Sequence, residues 1–159
     1  MATDNILKLY SETIRSSYLH YGFWDKPGLI DPEKINLEEL KIAQGRYIEH
    51  LSSFIPKGVR TILDVGCGIG GNAEYLIKKG YSIDTLSPDD FQKRIIIKKF
   101  KNEVKFHHSK FENFRSDKEF DLVLESESAC YINMEKGFKK AKEIICDGGQ
   151  WQEEVSWSI

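Results

Sequence analysis

Thr61-Ile62-Leu63-Asp64-Val65-Gly66-Cys67-Gly68-Ile69-Gly70-Gly71 is the stretch on which the fold of this chain turns. Five β-prone residues run straight into a cluster of glycines. A helical pattern follows from about 71 to 79 and stops at Gly80. Strand, glycine turn and helix in that order open a strand–helix–strand unit. Glycines there permit positive φ and let a ligand approach the backbone, and the free N–H groups of a helix start favour an anionic group.

The alternation continues on the C-terminal side. Residues 81–86 form a second strand. Ser87-Pro88-Asp89-Asp90 starts a helix, with Ser87 as cap and Pro88 in the first turn, that runs to about Phe100. Residues 103–108 and 120–125 give strands three and four. A helix over 134–146 places Met134, Phe138, Ala141 and Ile145 on one face, and Gly148-Gly149 ends it. On the N-terminal side, 3–18 is helical with Thr3 or Asp4 as cap, and 18–25 is rich in aromatics. Pro27, Gly28 and Pro32 make 26–36 a loop, and Leu37, Leu40, Tyr47, Ile48 and Leu51 set a helix over 37–54. Strands alternating with helices give an α/β architecture, a mostly parallel sheet covered on both faces. Ligands of such sheets bind beyond the carboxyl ends of the strands. The positions to inspect are therefore 64–72, 84–92, 107–111 and 125–131.

Composition narrows the function. The 159 residues fit a single domain, 1–159. The net charge of -2, from 23 basic and 25 acidic residues, argues against a nucleic-acid partner. No apolar run approaches the ~20 residues of a membrane span, and the first residues lack the pattern of a signal peptide, so a cytoplasmic location is expected. Cys67, Cys130 and Cys146 form no C-x-x-C pair and the four histidines are scattered, so no metal site is expected. Gly66, Gly68 and Gly71 also satisfy G-x-G-x-x-G, with Asp84 about 20 residues on, which suits an NAD-dependent oxidoreductase. Asp64 tells against that reading. Its charge would repel a diphosphate and suits an amino group instead.

The segment from Ile62 to Gly71 resembles motif I of the class I S-adenosylmethionine-dependent methyltransferases. Ser82 to Gln92, with Thr85-Leu86-Ser87-Pro88, is similar to the second-strand segment of the subgroup of sterol, tocopherol and cyclopropane-type enzymes. Phe120-Asp121-Leu122-Val123 resembles the fourth-strand motif, and Ala141 to Gly149 the helix and glycine pair before strand five. His20-Tyr21-Gly22-Phe23-Trp24 resembles the aromatic entry segment. Together these cover roughly residues 18–149.

The resemblance implies a Rossmann-like three-layer sandwich and the cofactor S-adenosyl-L-methionine, with S-adenosyl-L-homocysteine as product. It places the loop of Gly66, Cys67, Gly68 and Gly70 against the methionine part of the cofactor, and Asp64 near its amino group. Thr85 falls at the ribose position with Leu86 and Ser87 beside it, and Asp84 is a second ribose candidate. Ser109 falls at the adenine amino group, followed by Lys110 and by Phe111, which packs on the adenine. Tyr21 and Trp24 cover the sulfonium, a cation–aromatic contact worth ~0.5–2 kcal/mol. The segment from Glu125 to Tyr131 faces the methyl group. Glu125 and Glu127 share one side of an extended strand and raise each other's pKa, with Glu127 as substrate contact or base. His20 is a second candidate base.

The resemblance also implies a seven-stranded sheet, and few residues follow Gly149. The strand 6–7 hairpin is therefore expected to be missing, and 150–159, with Gln152-Glu153-Glu154, to be an atypical tail rather than a buried strand. The expected layout is an entry segment over 1–57, a cofactor-binding core over 58–149 and that tail. An open sheet edge flanked by Trp151 and Trp157 implies self-association. The implied function is methyl transfer to a small-molecule acceptor. The alternatives are a catalytically silent S-adenosylmethionine-binding or regulatory subunit and the oxidoreductase.

Overall fold

The computed structural model describes residues 12–24 and 34–154. The expected caps Thr3 and Asp4, most of the first helix, most of the 26–36 loop, and Trp157 lie outside the described residues.

Helix α1, Leu37–Ser53, starts at a capping box. The Asn36 side chain accepts from the N–H groups of Glu38 and Glu39, and the Glu39 carboxylate accepts from the Asn36 N–H. Its inward face is Ala43, Gln44, Tyr47, Ile48 and Leu51. The chain then alternates as β1 Thr61–Val65, α2 Gly71–Lys78, β2 Ser82–Leu86, α3 Asp90–Phe100 and β3 Lys105–His107. It continues as β4 Phe120–Ser126, α4 Met134–Ile144 and β5 Ile145–Glu154. Short 3-10 turns cover Phe111–Asn113 and Ala129–Tyr131.

Among the described residues five strands lie in the order β3-β2-β1-β4-β5, and every pair of them is parallel. The order reverses between β1 and β4, and a crevice opens at their carboxyl ends. Strand alternation sends two sets of side chains to opposite faces. Ile62, Ile83, Leu122 and Leu124 pack with Tyr47, Ile48 and Leu51 of α1, Ala73 and Leu76 of α2, and Ile96 and Phe100 of α3. Leu63, Val65, Leu86 and Val123 pack on the other face with Phe111, Phe114, Ala141 and Ile144. This is the three-layer α/β arrangement, with the sheet wholly parallel.

Three local expectations change. Asp89, not Ser87, caps α3, its carboxylate accepting from the Gln92 N–H at 2.7 Å. Ser87 instead accepts from the Asp89 N–H at 3.1 Å, and α3 starts only at Asp90. The inward face of α4 is Gly137, Ala141 and Ile144, while Met134 and Phe138 are exposed.

The third change is the largest. Residues 145–154 form β5, where a helix ending at 146 and an atypical tail were expected. Ile145 lies opposite Phe120 and Gln150 opposite Leu122, so the residues between them bulge out of register. Gly148, with φ +83°, makes the bulge possible, so the glycine pair sits inside the strand rather than before it. The polar residues of β5 have partners that local sequence does not reveal. Gln152 Nε2 donates to the Leu51 carbonyl at 3.1 Å, and the Trp151 ring meets Phe138 edge-on at 4.0 Å between centroids.

Candidate functional site

A cavity of about 500 Å³ sits at the carboxyl ends of β1, β2 and β4. Its floor is Val65 to Ile69. One wall is Leu86 to Asp89 with Gln92, another is Lys110 to Glu112, and a third is Ser126 to Ser128 with Tyr131 and Ile132. Ser17 to His20 close the remaining side.

The glycine loop is held by the neighbouring strand. The Leu86 carbonyl accepts from the N–H groups of Gly66 at 2.8 Å and Cys67 at 3.4 Å. At Gly66, φ is +74° and a Cβ would lie 2.3 Å from that of Ser128, whose hydroxyl donates to the Val65 carbonyl at 2.6 Å. At Gly68, φ is +54° and a Cβ would press on the Leu19 side chain at 3.2 Å. Both positions therefore require glycine, for conformation and for room.

Among the residues singled out in the sequence, His20, Gly66, Cys67, Gly68, Leu86, Ser87, Lys110, Phe111 and Glu127 line the cavity. The others do not. A Cβ on Gly70 would run into Ile96 and Phe100, so this glycine serves the contact between its loop and α3. Thr85 is fully buried, its Oγ1 donating to the Lys105 carbonyl at 3.4 Å. The Ser109 hydroxyl turns back to the Lys110 carbonyl at 2.9 Å. Tyr21 is 65% exposed, and the Trp24 indole donates to its carbonyl at 3.1 Å. Asp84 is engaged by His107 Nε2 and Lys118 Nζ, each at 2.8 Å, which hold its carboxyl below the usual range against its burial.

Asp64 lies one residue before the floor, buried at 1% exposure, with Oδ2 unpartnered. Burial pushes its pKa up to about 7. Glu125 is wholly buried on the opposite face of the sheet, and neither carboxyl oxygen has a hydrogen-bond partner. Burial first, then the Glu153 and Glu112 charges, push it up to about 7 as well. The nearby Trp151 indole opposes that rise, though its N–H completes no hydrogen bond. Glu125 and Glu127 do not share a side as an extended strand would require. β4 ends at Ser126, and Glu127 turns left-handed with φ +58°.

His20 is 7% exposed, and both ring nitrogens lack a partner. Its ring lies 4.1 Å from that of Tyr47 and 5.2 Å from that of Tyr18, between centroids. Burial lowers its pKa to about 4, so the imidazole is neutral near pH 7 and its protonated form is disfavoured there.

The cavity also holds Ser17, Tyr18, Leu19 and Glu112, to which the sequence assigned no role, and Asn72, Asp89, Gln92 and Ser128, which fall in the segments to inspect without a ligand role of their own. Asn72 Oδ1 and Gln92 Oε1 are buried acceptors with no partner. An unpaired buried polar group costs about 1–3 kcal/mol. A ligand bringing N–H or O–H donors relieves that cost. Among the described residues no three His, Cys, Asp or Glu side chains come together to hold a metal, and no helix is long and apolar enough to cross a membrane.

A parallel sheet in this order, a glycine loop after β1 and a cavity over it define a Rossmann-like α/β fold. The chain belongs to the methyltransferase domain family, whose model matches residues 62–149. Among curated proteins it is similar to the chloroplastic tocopherol O-methyltransferase of Arabidopsis thaliana, at 32% identity over 87 residues. It is also similar to the rice (Oryza sativa subsp. japonica) protein named "Probable tocopherol O-methyltransferase, chloroplastic", at 37% over 87 residues. These matches cover 46% and 48% of this chain but only 24% and 22% of the relatives. Among solved structures it is similar to the geranyl diphosphate C-methyltransferase of Streptomyces coelicolor A3(2), in complex with Mg2+, geranyl-S-thiolodiphosphate and S-adenosyl-L-homocysteine. The TM-score is 0.71 at 20% identity, over 84% of this chain and 54% of that one. The StiE O-MT structure gives 0.66 at 18%, over 86% and 52%. The chain thus spans about half the length of these solved relatives.

Proposed function

We propose that this chain binds S-adenosylmethionine in the cavity above its glycine loop and transfers the methyl group to a small-molecule acceptor. One observation carries the reading. The cavity floored by Gly66 and Gly68 is lined by Asn72 and Gln92, whose Oδ1 and Oε1 are buried acceptors without a partner, and the buried Asp64 carboxyl lies one residue before that floor. These groups suit a ligand rich in amino and hydroxyl donors. The oxidoreductase alternative needs Asp84 on a ribose, and Asp84 is already bound to His107 and Lys118.

When bound, S-adenosylmethionine supplies a methyl group already activated on a sulfonium, so the protein's task is positioning and exclusion of water, worth up to ~7–11 kcal/mol. In this reading the floor receives the cofactor, and Asp64 ionises opposite its amino group. Phe111 packs on the adenine. Glu127 and His20, both on the lining, stand on the acceptor's side, and His20 is a weak base there because burial lowers its pKa to about 4.

A panel of small phenols, amines and prenyl compounds, each incubated with S-adenosylmethionine, tests this reading. It predicts S-adenosylhomocysteine release that depends on one class of acceptor. Binding of S-adenosylhomocysteine without turnover on any acceptor would instead favour a silent binding subunit. Self-association along the β5 edge belongs to the same reading, and a mass near twice 18.4 kDa by light scattering would support it. A monomer mass at tens of micromolar would count against it.

A further inference from the structure

Ser17 to His20 line the cavity as irregular chain, bent at Ser17 and His20, without strand partners among the described residues, so something else must hold them there. The Ser17 carbonyl packs so close to the glycine loop that a Cβ on Gly71 would lie 2.3 Å from it, and Leu19 lies over Gly68. The holding group is Gln44, on the inward face of α1 and 0% exposed. Its Oε1 accepts from the Ser16 hydroxyl at 2.6 Å, and its Nε2 donates to the His20 carbonyl at 2.5 Å. One amide therefore grips both ends of the segment, and Ser16 Oγ passes the hold on by accepting from the Tyr18 N–H at 3.1 Å. Beyond His20, the Phe23 N–H donates to the Ala43 carbonyl at 2.8 Å. One turn along α1, the Tyr47 ring packs tilted against that of His20, and its hydroxyl accepts from Ser126 Oγ at 3.1 Å.

We propose that Gln44 is a positioning residue, a buried latch that fixes Ser17–His20 across the cavity and thereby sets cofactor affinity and the placement of His20. This deepens the methyltransferase reading and rests on it. Of the two amide side chains Gln has the longer reach, and it offers an acceptor and a donor without charge at any pH.

The test compares the full wild-type chain with Gln44→Leu, which keeps bulk but loses both hydrogen bonds, and Gln44→Glu, which keeps only the acceptor when ionised. S-adenosylhomocysteine affinity is measured by calorimetry, and hydrogen–deuterium exchange is followed without ligand. Gln44→Leu is expected to weaken affinity by roughly ten-fold or more. It is also expected to speed exchange at 17–20 while α4 and β5 exchange as in wild type. Gln44→Glu should bind better at low pH, where its protonated carboxyl can again donate to the His20 carbonyl. If Gln44→Leu does not fold, Ser16→Ala gives the same readouts, with the same direction and smaller size. Wild-type affinity together with wild-type exchange at 17–20 would overturn the proposal. So would faster exchange spread evenly over the whole chain, which marks a merely structural role. Absence of binding by the wild type would defeat the methyltransferase reading instead, and the exchange result alone would then decide whether Gln44 holds the segment.

Discussion

Three buried titratable side chains, Asp64, Glu125 and His20, make stability depend on pH in opposing senses. Asp64 and Glu125 have folded pKa values near 7, above their ordinary ones. The folded chain therefore holds two protons that the unfolded chain has lost, and stability from these groups, full below pH 4, is lost as pH rises toward 7. His20 has a folded pKa near 4, below its ordinary one, so its contribution is present above pH 6.5 and is lost as pH falls through 4. Between about pH 4.5 and 6.5 the folded state binds about one more proton from this set, a slope of at most about 1.4 kcal/mol per pH unit toward lower stability as pH rises. Urea unfolding across that window should show the slope, Asp64→Asn should flatten it, and His20→Gln should steepen it. A Gly68→Val change forces a β-branched residue into the left-handed region against Leu19. It should weaken S-adenosylhomocysteine binding roughly ten-fold or more; unchanged affinity by calorimetry would contradict the loop's role. Glu127→Gln should lower turnover by roughly 10²-fold or more while leaving that affinity within a few-fold. An equal loss in both would make Glu127 a binding group only. The glycines and the neutral histidine could be picked out from sequence because their chemistry is local. Gln44 could not, since it matters through groups distant along the chain, and Asn72 and Gln92 fell in the segments to inspect without a role that local sequence could assign.

The unit from β1 to α2 was readable because a β-prone run, a glycine cluster and a helical period follow one another without interruption. β5 was not. Its Gln150-Trp151-Gln152-Glu153 pattern looks polar until Gln152 is placed on the end of α1 and Trp151 against Phe138. Periodicity carries no information about such long-range partners, and a glycine pair reads as a stop when it is in fact a bulge. The same arrangement makes a prediction. Trp151→Ala should destabilise the chain by about 2–3 kcal/mol, below the ~3–5 kcal/mol of a fully buried aromatic because Trp151 is only partly covered. Denaturant unfolding showing a loss under ~0.5 kcal/mol would mean that β5 contributes little to the fold.

The molecule as a whole assembles one site from segments far apart in sequence: the floor after β1, walls after β2, β3 and β4, and a closing side supplied by residues 17–20 and latched to α1. A parallel sheet with a reversal of strand order brings those ends together, which is why the loops to inspect could be argued from sequence while the hold of α1 on the closing side could not. The most direct measurement of the central claim is thermal melting of the purified chain with S-adenosylmethionine, S-adenosylhomocysteine or NAD. A ligand that binds only the folded state adds about 2.7 kcal/mol at 100 times its Kd, or roughly 5–10 °C in Tm for a chain of this size. The account predicts such a rise with the first two ligands and none with NAD. A rise with NAD alone, or a cooperative melt that none of the three moves, would contradict it.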